Sequence, residues 1–146
     1  MNSDITRFKQ TIGKCAKHTF ETTGEISSLV IFLKKFDNVI SVKNISDEIM
    51  SSIPAKNLLA ELIREKCKDP LNLAVALIAE VNIGDENDVK TGDGLMLLVS
   101  TREGDDLTIY EVDCENKKVL GVHYDGQSNE DRGRFSNFFE SLKIEN

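Results

Sequence analysis

The chain contains no tryptophan, two prolines, two histidines and three cysteines in 146 residues. Two prolines leave long uninterrupted elements possible and exclude a proline-rich or collagen-like polymer. The cysteines, Cys15, Cys67 and Cys114, form an odd set without C-x-x-C spacing, unlike the paired framework of a small secreted protein, and are expected to be reduced. Long apolar runs are also missing. The longest are Ala74 to Ala79, Leu29 to Leu33 and Leu95 to Val99, far short of the roughly 20 residues a membrane-spanning helix needs. The opening stretch, Met1 to Lys9, is charged and amphipathic without the apolar core of a secretory signal, so the expected address is cytoplasmic.

What is present is a globular composition, with 40% hydrophobic and 29% charged residues. A chain of this length buries about two-thirds of its unfolded surface in one core, without metal or disulfide staples, so a single domain over residues 1–146 is expected. The net charge is -7 and is unevenly divided: residues 1–70 carry 11 basic and 9 acidic side chains, residues 71–146 carry 7 and 16. An acidic C-terminal half repels phosphate backbones, and no basic stripe with interleaved aromatics offsets it, which argues against nucleic-acid binding.

Apolar positions Ile5, Phe8, Ile12, Cys15 and Phe20 follow a helical spacing, with Ser3 placed to cap the start and Gly24 to stop the helix. Glu25 to Leu33 ends β-branched and apolar on both faces, as in an internal strand, and a hairpin around Asp37-Asn38 leads to Val39 to Val42. Asn44 or Ser46 starts the next helix. Pro54 divides that region into a short helix near 46–51 and a longer one near 54–68, with Leu58, Leu59, Leu62, Ile63 and Cys67 as its buried stripe and Asp69-Pro70 as its end. Leu73 to Ile83 alternates as a strand. Gly84 to Gly94 reads as an acidic loop, and Leu95 to Thr101, Leu107 to Asp113 and Lys118 to Tyr124 as a meander with Asp125-Gly126 as a further turn. Phe135, Phe138, Phe139 and Leu142 lie at helical spacing near the end. The fold class expected is therefore α+β, an antiparallel or mixed sheet of five to six strands with amphipathic helices mainly on one face.

Chemistry-bearing patterns are weak. Cys15 and His18 stand one helical turn apart, but Cys15 falls on the apolar stripe and no third group orients the imidazole. Cys114 and His123 lack zinc-ligand spacing. The 84–94 loop is rich in carboxylates but places Lys90 and Met96 where a calcium loop needs glycine and glutamate. Glu80 offers a base or a partner for Arg102, and a surface carboxylate is the commoner fate of such a residue. No catalytic residue, cofactor or metal is assigned.

The acidic loops remain. Asp85, Glu86, Asp88, Asp93, Asp105 and Asp106 flank one predicted strand and are expected to recruit a protein with a basic surface. In size and charge the chain resembles the immunity and antitoxin proteins of bacterial conflict systems, which implies a non-enzymatic inhibitor. The rival expectation is a small enzyme or ligand-binding domain with its pocket residues scattered along the sequence. A third is a subunit that assembles through a sheet edge. A convergent polar pocket favours the ligand-binding reading, and a flat acidic surface the protein-binding one.

Overall fold

The computed structural model describes residues 3–35, 40–84, 87, 89–128 and 138–139. Helix α1 (Ser3–Thr23) is followed by strands β1 (Ser28–Lys34) and β2 (Ile40–Ile45), helices α2 (Asp47–Met50) and α3 (Ile53–Cys67), and strands β3 (Asn72–Gly84), β4 (Lys90–Thr101), β5 (Gly104–Asp113) and β6 (Lys118–Ser128). The strands form one sheet in the order β2-β1-β3-β4-β5-β6, every neighbouring pair antiparallel. An α+β fold with six strands is thus observed.

Helix α1 buries Phe8, Ile12, Ala16 and Phe20, four residues apart and so on one face. Burying each of its large side chains stabilises the fold by about 1.5–3 kcal/mol. Cys15 was expected on this stripe and is exposed instead, because Ala16 takes the four-residue step and turns its neighbour outward. Gly24 ends the helix in the left-handed region (φ 75), its N–H donating to the Phe20 carbonyl at 2.7 Å. Strand β1 pairs with β2 from Ser28↔Ile45 to Leu33↔Ile40. The two strands are thus antiparallel neighbours, and the turn expected at Asp37-Asn38 lies outside the described residues.

Ser52 caps α3, its Oγ accepting from the Ala55 N–H at 3.3 Å, and Pro54 sits in the first turn where its missing N–H costs nothing. The buried stripe of α3 is Ala60, Ile63 and Cys67, with Leu59 partly covered. Leu58 and Leu62, expected in that stripe, are 57% and 53% exposed. They lie two positions either side of Ala60, half a helical turn away, so contact through Ala60 turns both outward.

Both faces of the sheet are covered. Ile31, Leu33, Ala74, Ala76, Ile78, Leu95, Leu97 and Val99 pack under α1, while the alternate residues Val30, Phe32, Val75, Leu77 and Leu98 pack under α3. Residues of α1 and of α3 fall in these two separate clusters: β1 and β3 are apolar on both sides, and each side needs a cover. Of the predicted C-terminal helix, Phe138 and Phe139 are described. Both are 1% exposed within the α3-side core, and the rest of that segment lies outside the described residues.

The later strands are longer than their apolar runs. Strand β4 begins at Lys90, paired through to Gly84↔Lys90, so Thr91 to Gly94 are strand and not loop. Gly94 is required by packing, since a Cβ there would stand 2.9 Å from Val81 Cγ2 and 3.2 Å from Ile109 Cγ2. Strand β5 takes in Asp105 and Asp106. Asp125-Gly126, expected as a turn, lies within β6, paired with Thr108 and Leu107.

Candidate functional site

Strand alternation places Asp106, Thr108 and Tyr110 of β5 on the α1 side of the sheet, beside Leu97 and Val99 of β4 and Asp125 of β6. Helical spacing places Lys9, Gln10, Gly13, Lys14 and Lys17 on the flank of α1 that overhangs them. Together these residues line a groove of about 470 Å³. The helix wall carries three lysines. The sheet floor carries two aspartates, a threonine and a tyrosine.

Three contacts fix the geometry. Lys9 Nζ forms an ion pair with Asp106 at one end of the groove. Lys17 Nζ lies over the Tyr110 ring, 5.1 Å from its centroid, an attraction between a cation and the negative face of the ring. Thr108 donates from Oγ1 to Asp125 Oδ1 at 3.1 Å. Gly13 faces the floor of the groove, where a Cβ would make ordinary contacts with Leu97 Cδ2 at 3.7 Å and the Tyr110 hydroxyl at 3.9 Å. Burial, with the nearby Asp125 carboxylate second, pushes the Tyr110 hydroxyl above its ordinary value. It stays a neutral group at physiological pH, able to donate or to accept.

The six acidic residues singled out from sequence do not gather in the structure as far as it describes them. Asp85, Glu86 and Asp88 lie outside the described residues. Asp93 is on β4, where Lys90 Nζ pairs with it at 2.8 Å and Cys114 Sγ lies 3.8 Å from Oδ2. Asp105 is 3% exposed on the α3 side and accepts from Ser100 Oγ at 2.5 Å. Asp106 is on the α1 side with Lys9. Asp93 sits opposite Val112 and Asp106 opposite Val99, six residues apart along β4, about 20 Å.

The remaining candidates do not line the groove. Cys15 and His18 are exposed on α1, and His123 is exposed on β6 at an irregularity in the β5–β6 register. Among the described residues no group of three or more His, Cys, Asp or Glu is placed to hold a metal ion. Glu80 is exposed on the α1 face of β3, and Arg102 is engaged on the other, donating to the Asn72 carbonyl at 3.0 Å and stacking 5.1 Å from the Phe139 ring. Cys67 is fully buried there, and burial pushes its thiol up to about 12, so it is a packed apolar group and not a nucleophile.

Two further hollows are apolar. One of about 90 Å³ lies under the second half of α1, lined by Cys15, Phe20, Leu29 and Ile78 among others. Another of about 160 Å³ lies between α3 and β1–β2, lined by Val30, Phe32, Ile45, Leu59, Leu62 and Ile63.

Apart from Asp106, the groove residues were missed because they span Lys9 to Asp125 without a motif. Two signals were available: the polar alternation Asp106, Thr108, Tyr110 against Leu107 and Ile109, and the row Lys9, Gly13, Lys17 beside the apolar stripe of α1. Comparison of the chain with protein-family models, with curated proteins and with solved structures gives no match.

Proposed function

We propose that the protein is a small-ligand-binding domain whose site is the groove between α1 and β4–β6. One observation carries this reading: polar groups from three separate elements, α1, β5 and β6, converge on a concavity of about 470 Å³, within the range that ligand pockets occupy. The acidic recruitment surface has less support, because Asp93 and Asp106 are ion-paired within the molecule and Asp105 is buried. The test is a thermal-denaturation screen of the full chain against charged and polar metabolites. A ligand present at 100 times its Kd adds about 2.7 kcal/mol, a rise of several degrees in Tm. At least one compound is expected to raise Tm in the wild type and to lose that effect in Lys14→Glu. No shift from any compound, or a shift that Lys14→Glu leaves intact, would overturn the proposal.

A protein-binding reading keeps one specific support. Leu58 and Leu62 are exposed one turn apart along α3, Leu62 lining the apolar hollow, with Glu61 and Glu65 between and after them. An exposed apolar strip edged by carboxylates suits an amphipathic basic segment of a partner protein. Its test is titration with a synthetic leucine-lysine helix, expected to bind the wild type and to lose at least tenfold in affinity for Leu58→Ser/Leu62→Ser. Equal binding to both proteins would remove the strip from consideration.

A further inference from the structure

We infer that the groove takes a zwitterionic, peptide-like small molecule, its carboxylate toward Lys14 and Lys17 and its ammonium toward Asp125. The inference rests on the groove being the ligand site and names the chemistry of its guest. The two walls differ in sign: α1 supplies Lys9, Lys14 and Lys17, and the sheet supplies Asp106 and Asp125. Lys9 and Asp106 neutralise each other at one end of the groove. The remaining balance is two cations on the helix wall facing one carboxylate on the floor.

That arrangement discriminates among classes of ligand. A polyphosphate or nucleic acid would bring several negative charges against Asp125 and Asp106, within a molecule of net charge -7. A polyamine would set its ammonium groups against the lysine wall. An apolar guest would strip water from charged groups on both sides without replacing their hydrogen bonds. A molecule with one charge of each sign satisfies both walls at once. Each charge then gains a charge-assisted hydrogen bond, stronger than one between neutral groups.

The floor adds neutral recognition between the two charged ends. Tyr110 lines the groove opposite Gly13, and Thr108 already donates to Asp125, which holds that carboxylate in a fixed orientation. An uncharged middle with amide N–H and C=O groups matches a hydroxyl that both donates and accepts. A volume of about 470 Å³ is larger than one amino acid needs and suits a chain of two or three residues.

The probe is trialanine, with N-acetyl-trialanine lacking the ammonium and trialanine methyl ester lacking the carboxylate, titrated calorimetrically into the full chain at low salt. Trialanine is expected to bind at least tenfold more tightly than either blocked form, a difference of about 1.4 kcal/mol. Asp125→Asn is expected to abolish the preference over the N-acetyl form, and Lys14→Met/Lys17→Met the preference over the ester. All these side chains line an open groove, and an unchanged far-UV circular dichroism spectrum checks that each variant folds. Equal affinity for the three probes, or no binding of trialanine, would overturn the inference. If trialanine fails while another compound raises Tm in a Lys14-dependent way, the zwitterion is wrong and the groove stands; if no compound does so, both fall.

Discussion

Asp105 and Asp106 are adjacent in the chain and lie on opposite faces of the sheet. Asp105 points to the α3 side, where Ser100, its direct partner on β4, donates to it; Asp106 points to the α1 side and pairs with Lys9. Period-two alternation alone separates them, and it divides two charges that the sequence presents as one acidic turn.

The two aspartates should therefore differ in energetic weight. Removing the donor to the buried carboxylate, Ser100→Ala, is expected to cost about 1.5–3 kcal/mol, the range for hydrogen bonds to charged groups. Asp106→Asn removes a half-exposed ion pair and is expected to cost less than about 1 kcal/mol. Urea unfolding of both variants checks the order, and a larger loss for Asp106→Asn would contradict the assignment of faces.

Two glycines should respond in opposite directions to alanine. At Gly94 the added methyl would collide with Val81 and Ile109, so Gly94→Ala is expected to destabilise by about 1–3 kcal/mol. At Gly13 the added methyl meets only ordinary contacts inside a helix, and Gly13→Ala is expected to stabilise by about 0.5–1 kcal/mol. Denaturant midpoints decide. Destabilisation at both positions would mean that α1 sits closer to the sheet than described.

The thiols give an ordered prediction. Cys15 is exposed, Cys114 is partly covered with its thiol pushed up by burial and by the nearby Asp93, and Cys67 is buried. Reaction with a water-soluble disulfide reagent at neutral pH is expected in the order Cys15, Cys114, Cys67, the last only on unfolding. A native Cys67 that reacts as fast as Cys15 would contradict the packing of α3.

Cys67 also links stability to pH. The folded state holds its proton to about 12, whereas the unfolded thiol releases it near 9.0. The unfolded state thus binds fewer protons between those values, so stability is fully present below about 9 and declines as pH rises towards 12. Cys67→Ala is expected to flatten that decline, apart from what Cys114 and Tyr110 contribute with the same sign. An unchanged slope in chemical unfolding between those pH values would count against the burial of the thiol.

How far the sequence could be read depended on whether a signal was local. The stripe of Phe8, Ile12 and Phe20, the alternation from Leu73 to Ile83 and the proline at position 54 each specify an element through nearby residues alone, and all three elements are observed. Leu58 and Leu62 misled because four leucine or isoleucine residues fill more than one helical face, and only the docking of Ala60 selects which face is buried. Gly92, Gly94 and Gly126 read as turns, yet they sit in strands; the crowding above Gly94 comes from residues of β3 and β5. The groove was the least legible feature. Lys9 and Asp106 are 97 positions apart, and only the antiparallel register under α1 brings their charges together.

The most direct measurement is a titration of isotopically labelled full-length protein with trialanine, or with the strongest compound from the thermal screen, followed by amide chemical shifts. Saturable shifts are expected at Gly13, Lys14, Leu97, Thr108, Tyr110 and Asp125, with α3 unmoved. Shifts centred on Leu58 and Leu62, or none that saturate, would contradict a ligand site between α1 and the sheet.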